Sequence, residues 1–168
     1  VYEGAPTPVT ALFAAAPKVA AMALMVRTLT VAFPGTAPAW QQIVVFISIA
    51  SMLLGSFAAI GQSNFKRLMA YSSIAHMGFV TIGIFTLTMQ GLQGGIFLML
   101  SHGLVSAGLF LCVGVVYDRM HTHEISVFGG LVNRMPLYAA VFMIFTLANV
   151  GLPGTSGFIG EFLSLLGV

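Results

Sequence analysis

A chain of 168 residues with 58% hydrophobic and 6% charged side chains stands far from the soluble norm of about 45–50% apolar and about 25% charged. Six basic and four acidic residues cannot cover a water-soluble globule of this size, and a mean hydropathy of +1.02 places the chain in lipid. A net charge of +2, with basic residues never clustered beyond a pair, is too small to argue for a nucleic-acid partner, and none is expected.

Lipid cannot satisfy backbone polar groups, so the long apolar runs must be helices. The expected fold class is all-α: a polytopic transmembrane helix bundle of five spans plus a half-helix after a broken helix. The spans fall at about residues 8–30, 41–62, 68–89, 94–117 and 135–152, with the half-span at 158–168, in one membrane domain over 1–168. The N-terminus has no initiator Met, basic leader or small-residue cleavage site, and Val168 follows directly on an apolar stretch. Both ends are expected to be cut from a longer polytopic protein.

Span one carries Lys18 ten residues past Pro8, roughly 15 Å along a helix and so near the bilayer midplane. An ammonium at that depth costs about 2.5–3.5 kcal/mol on insertion scales, so it should face protein or water and have a partner. Ala11, Ala14, Ala15 and Ala21 leave room around it for water or a neighbouring helix. Pro17 cannot donate to the carbonyl of Phe13, so a kink and a freed acceptor are expected beside the lysine.

The connection at 33–40 contains Pro34, Gly35 and Pro38, and its shortness implies that spans one and two are antiparallel neighbours. In span two, Ser48, Ser51, Gly55 and Ala59 form a small-residue stripe that lets another helix approach closely. Lys66 and Arg67 punctuate the next connection, 63–67, and a glycine-containing turn is expected at 90–93. His76 and His102 each lie eight residues into their spans, so both land near mid-membrane from opposite sides. Ser72 and Ser106 stand four residues from them on the same helical faces. Cys112 lies alone in an apolar run and reads as a packing residue; one cysteine allows no disulfide within the chain. Trp40, Tyr71, Tyr117 and Tyr138 lie near span ends and suit interfacial anchoring.

The connection at 118–134 is the one clearly aqueous segment. The loops after spans two and four hold Lys66, Arg67, Arg119 and Arg134, so that side should be cytoplasmic, and the N-terminus with it. His121 and His123 lie two residues apart and do not share a helical face, so no metal site is assigned. No phosphate-binding glycine loop, nucleophile elbow or haem or cluster ligand set is present, and the chain is expected to carry no redox centre.

Residues 135–166 would make one straight helix of about 48 Å, too long for the bilayer core. The segment Gly151-Leu152-Pro153-Gly154-Thr155-Ser156-Gly157 should break it. Glu161 is expected in the first turn of the second half-helix, where the helix dipole favours a carboxylate and where discontinuous helices border ion paths. Lys18, His76, His102 and Glu161 are therefore the candidate proton-transfer residues, since titratable groups at membrane depth mark such relays.

Four stretches, VYEGAPTPVTALFAAAPKVA (1–20), NFKRLMAYSSIAHMGF (64–79), SHGLVSAGLFLCVGVVYDR (101–119) and ANVGLPGTSGFIGEF (148–162), carry a resemblance over essentially the whole chain. The sequence resembles the antiporter-like, proton-translocating membrane subunits of respiratory NADH-quinone oxidoreductase (complex I), which are related to subunits of multi-subunit cation/proton antiporters. Residues 1 to about 75 look like subunit N and about 68 to 168 like subunit M (chain 4), as in a recombined, designed or divergent member.

The resemblance implies that Lys18 is the central-axis lysine of the family's eighth helix. It implies that His76 and His102 continue that axis through the tenth and eleventh helices, and that Glu161 is the acid on the broken twelfth. The family's upstream glutamate and broken-helix lysine would precede Val1. This is the partial inverted-repeat, antiporter-like fold. The implied function is proton translocation as a subunit (fragment) of NADH:quinone oxidoreductase, coupled to quinone reduction elsewhere. NAD, FMN, iron–sulfur clusters and quinone would belong to partner subunits of the membrane-arm assembly, in a bacterial or mitochondrial inner membrane. Two other readings stand beside it: a cation/proton antiporter subunit, and an inert truncated or chimeric helical bundle.

Overall fold

The computed structural model describes residues 2–168. It is 81% helical. Among the described residues the chain forms no strand beyond one isolated antiparallel bridge, Asn64 to Glu124. The helices are α1 (Thr7–Arg27), α2 (Ala37–Ile60), α3 (Phe65–Phe85), α4 (Met89–Met120), α5 (Leu131–Arg134), α6 (Pro136–Val150) and α7 (Ser156–Leu166). A π-helical turn, Thr28–Ala32, extends α1, and among the described residues four helical segments are long and apolar enough to cross a membrane.

The long helix α4 is the hub, with α1, α3, α6 and α7 packed around it. Its glycines explain why. A Cβ at Gly103 would stand 2.9 Å from Val19 Cγ2, and one at Gly114 3.0 Å from Thr7 Cγ2, so α1 lies directly on the α4 backbone. Ala11 and Ala14 of α1 are buried with Phe110 of α4. The space those alanines leave is thus filled by a neighbouring helix. That neighbour is α4 and not α2, which corrects the expectation drawn from the short 33–40 connection: the Pro34–Pro38 loop leads α2 away, and α2 packs on α3 instead.

The α2–α3 contact is the small-residue stripe. A Cβ at Gly55 would be 2.9 Å from the Ala75 nitrogen. Ser51 Oγ donates to the Ile74 carbonyl at 3.0 Å, and the Ser48 and Thr81 hydroxyls pair at 2.6 Å. Such interhelical bonds matter because apolar contact alone drives little association in lipid.

The turn expected at 90–93 is helix. The reversal lies at Thr86–Thr88, where Leu87 takes φ 58° and Thr88 caps α4 by accepting from the Gly91 N–H at 3.1 Å. The glycine that suggested a turn serves close contact instead: a Cβ on Gly91 would collide with Thr86 Oγ1 and stand 2.8 Å from the Gly83 carbonyl oxygen. Accordingly α3 begins and ends three to four residues before the predicted span, and α4 has 32 residues, about 48 Å.

Helices α4 and α7 cross at two glycines. A Cβ at Gly94 would stand 2.6 Å from the Ser164 nitrogen, and one at Gly160 2.6 Å from Leu98 Cβ. Gly94→Ala should therefore destabilise the bundle by about 1–3 kcal/mol, as overpacking does. The expected reading is a lowered thermal denaturation midpoint of the purified assembly and faster proteolysis within 151–168; an unchanged midpoint would contradict the contact.

Candidate proton-transfer site

Lys18 on α1, His76 on α3, His102 on α4 and Glu161 on α7 converge on one line through the bundle. The Lys18 Nζ donates to Ser73 Oγ. Ser73 Oγ in turn lies 2.7 Å from His102 Nε2. The His102 and His76 rings sit with centroids 5.0 Å apart, tilted by 37°, and His76 Nδ1 lies 3.1 Å from Glu161 Oε1. His102 is 5% exposed, whereas the His76 and Glu161 side chains are 16% and 21% exposed.

Hydrogen-bond arithmetic orients this row. An ammonium has only protons to give, so Ser73 accepts from Lys18 and its own hydroxyl donates onward to His102 Nε2. His102 then carries its proton on Nδ1. A carboxylate only accepts, so His76 Nδ1–H donates to Glu161 and His76 Nε2 is the ring's second site. Beside the two rings lies a cavity of about 10 Å³ bordered by His76, Ser101, His102, Asn149 and Glu161. That is about the room one water needs, with polar partners on its walls.

The broken helix supplies the acidic end. Gly151 ends α6 at φ 74° and Gly154 follows at φ 97°, conformations that cost glycine little. The second half-helix starts at Ser156, two residues before the expected start, so Glu161 lies in its second turn and not its first. The dipole effect fades beyond the first turn, and the carboxylate is positioned by His76 instead. Its Oε2 packs against Gly151, where a Cβ would come within 2.6 Å. Two bonds pin the break to the bundle: Ser101 Oγ donates to Ser156 Oγ at 2.7 Å, and Asn149 Nδ2 donates to Ser72 Oγ at 3.2 Å.

Lys18 forms no ion pair among the described residues; its partners are the Ser73 hydroxyl and the Tyr2 ring, 5.2 Å from Nζ to centroid. The carbonyl freed by Pro17 is the acceptor for Tyr2 Oη, at 3.4 Å from Phe13 O. Sequence reasoning missed Ser73 and chose Ser72 and Ser106 as the histidines' hydroxyl partners. Ser73 stands three residues before His76 and Ser72 four, so helical spacing admits both, and the register of α4 on α3 decides. Ser72 serves Asn149 instead, and the buried Ser106 makes no side-chain bond to His102.

At the basic end, the 118–134 segment docks on the head of α3. The Phe65 N–H donates to the His123 carbonyl at 2.8 Å and Ile125 N–H to the Ser63 carbonyl at 3.0 Å. The His123 ring stacks on Tyr117 at 4.2 Å, its Nδ1 buried without a partner. Lys66 Nζ donates to the Ala5 carbonyl at 2.8 Å, and Arg67 pairs with Glu3 at 2.8 Å. Among the described residues no three His, Cys, Asp or Glu side chains gather as metal ligands. Burial, and secondarily the Lys66 charge, hold the His123 imidazole below its usual range, against a smaller upward pull from Glu3.

A histidine whose folded value is lowered takes up its proton first in the undocked segment, so docking weakens as pH falls below about 6.5. Hydrogen-exchange protection of the Phe65 and Ile125 amides should therefore drop between about pH 7.5 and about pH 5.5, and His123→Gln should flatten that dependence. Equal protection at both values in the unaltered chain would remove His123 as the cause.

Comparison with known proteins places the chain in a family. Over 136 residues, 81% of this chain and 27% of the relative, the sequence is 60% identical to NADH-quinone oxidoreductase subunit M of Rhodobacter capsulatus. Over 163 residues, 96% of this chain and 34% of the relative, it is 50% identical to subunit N of Parvibaculum lavamentivorans. The chain is thus similar to both subunit types and spans about a third or less of each. A chain of Thermus thermophilus respiratory complex I superposes with TM-score 0.77 at 42% identity over 80% of this chain and 29% of that one. A chain of the Mrp complex of Dietzia sp. superposes with TM-score 0.93 at 27% identity over 99% of this chain and 31% of that one. With residues 1–168 matched throughout, the chain belongs to the NADH:quinone oxidoreductase/Mrp antiporter transmembrane family.

Proposed function

We propose that this chain is part of the proton-translocating machinery of an NADH:quinone oxidoreductase, in which protons pass along Lys18, Ser73, His102, His76 and Glu161 with water between the rings. The observation that carries it is the row of donors and acceptors from an amine to a carboxylate across four helices. Intramembrane ionisable groups are expensive and are ordinarily kept for transport. NAD, FMN, iron–sulfur clusters and quinone belong to partner subunits of the membrane arm and its redox arm. Charge changes there would raise or lower the affinity of Lys18 and Glu161 for protons. Lys66, Arg67, Arg119 and Arg134 lie on the cytoplasmic (or mitochondrial matrix) face of the inner membrane, with the N-terminus.

The likeness to an Mrp complex chain over 99% of the sequence favours a second reading: a cation/proton antiporter subunit that works without quinone chemistry.

The deciding experiment reconstitutes the assembled complex containing this chain into proteoliposomes with a lumenal pH dye. Acidification that follows NADH oxidation and quinone addition, and is abolished by the paired substitution Lys18→Met with Glu161→Gln, is the expected result. Proton flux driven by a sodium or potassium gradient without quinone would move the assignment to the antiporter. Flux equal to that of empty vesicles would leave an inert bundle.

A further inference from the structure

Four contacts converge on Tyr2, and the relay as described uses none of them. The ring lies 5.2 Å from Lys18 Nζ, within reach of a cation–π attraction. The hydroxyl donates to Phe13 O, the acceptor that Pro17 leaves without a helical partner. Phe110, itself fully buried on α4, stacks with the ring at 5.7 Å and 13°. The backbone is held as well, since Thr10 Oγ1 reaches the Tyr2 carbonyl at 3.3 Å. The adjoining residues are tied down by the Glu3–Arg67 ion pair and the bond from Lys66 to Ala5. Residues 2–6 thus form a strap laid over α1, with one aromatic side chain turned to the lysine.

We propose that Tyr2 is the positioning residue for Lys18: its ring holds the ammonium in the orientation that presents Nζ to Ser73. This deepens the reading of Lys18 as the head of the proton row and rests on it for its functional meaning. The physical asymmetry is what makes it more than packing. A ring quadrupole attracts the charged ammonium and has little hold on the neutral amine. The ring therefore steadies Lys18 while it carries its proton and frees the side chain once the proton has left through Ser73. Lys18 finds no carboxylate among the described residues, so the Tyr2 ring and the Ser73 hydroxyl are the groups that hold it.

Two variants separate the parts. Tyr2→Phe keeps the ring and loses the bond to Phe13 O; Tyr2→Leu keeps bulk and loses the ring. In the assembled complex, labelled at lysine with carbon-13 and nitrogen-15, the Lys18 Cε–Nζ resonance is identified by its disappearance in Lys18→Met. It should keep its position in Tyr2→Phe and lose its ring-current shift in Tyr2→Leu. Proton translocation should be near normal in Tyr2→Phe and roughly three- to tenfold slower in Tyr2→Leu, the range expected for a partly desolvated cation–π contact, with Tyr2→Trp restoring it. An unmoved Lys18 resonance in Tyr2→Leu overturns the proposal, as does equal slowing in Tyr2→Phe and Tyr2→Leu. A moved resonance with pumping intact in both Tyr2→Leu and Lys18→Met upholds Tyr2 as the group that positions Lys18 and defeats the relay instead.

Discussion

Lys18→Met is expected to lower quinone-coupled proton translocation by about 10²-fold, the lower range of what a positioned proton-transfer group contributes. Methionine nearly matches the lysine stem, so the packing of α1 on α4 at Ala11, Ala14 and Phe110 should persist. What disappears is the donor to Ser73. The Ser73–His102 pair at 2.7 Å can still form, but nothing upstream supplies its proton. Removing an ammonium that has no carboxylate partner also removes a desolvation cost, so thermal stability should hold or rise. That combination, lost pumping with retained stability, distinguishes a relay group from a structural one. Near-normal proton-to-electron ratios in proteoliposomes would defeat the assignment of Lys18.

Much of the fold was readable because lipid leaves the chain few options. Where apolar runs were bounded by Pro34, Pro38 or the Gly151–Gly157 break, helix boundaries fell within a few residues of expectation. The failures share one cause: glycine has two uses. At Gly151 and Gly154 it permits a positive φ and ends a helix, which local sequence signals. At Gly91 and Gly94 it permits contact with Thr86 and α7 inside a continuous helix, which depends on a partner the local sequence does not name. Likewise a short connection suggested that α1 and α2 pair, but which face α1 buries was decided by Gly103 and Gly114 on α4, 84 residues from Val19 and 107 from Thr7.

The site divides in the same way. Charged and imidazole side chains at membrane depth advertise themselves through cost, and all four candidates converge. Their neutral partners do not advertise. Ser73 differs from Ser72 by one position, about 100° around a helix, and only the seating of His102 against α3 selects it. Pro17 revealed that the Phe13 carbonyl needed a donor without revealing that Tyr2 provides it. The position of Glu161 turned on a two-residue error in a helix start, enough to replace an expected dipole contact by a histidine one.

Glu161→Gln tests the other end of the row. The amide is nearly isosteric, and its Oε1 can still accept from His76 Nδ1, which in the native chain lies 3.1 Å from the carboxylate. Gly151 has no Cβ to clash with either terminal atom. Helix α7 should therefore stay docked on α4, with hydrogen exchange at 156–166 unchanged. Only the capacity to bind and release a proton is lost, and the expected fall in translocation is again about 10²-fold. Glu161→Asp keeps that capacity but draws the carboxylate back by about one carbon–carbon bond, roughly 1.5 Å, beyond direct hydrogen-bond reach of His76. Its translocation should be intermediate, about tenfold down, because a misplaced group transfers protons less well than one in contact. The order native, Asp, Gln in proton-to-electron ratio, at equal assembly and equal exchange protection, identifies protonation of Glu161 as the working property. Equal ratios for all three would mean that the carboxylate serves only to hold the broken helix in place.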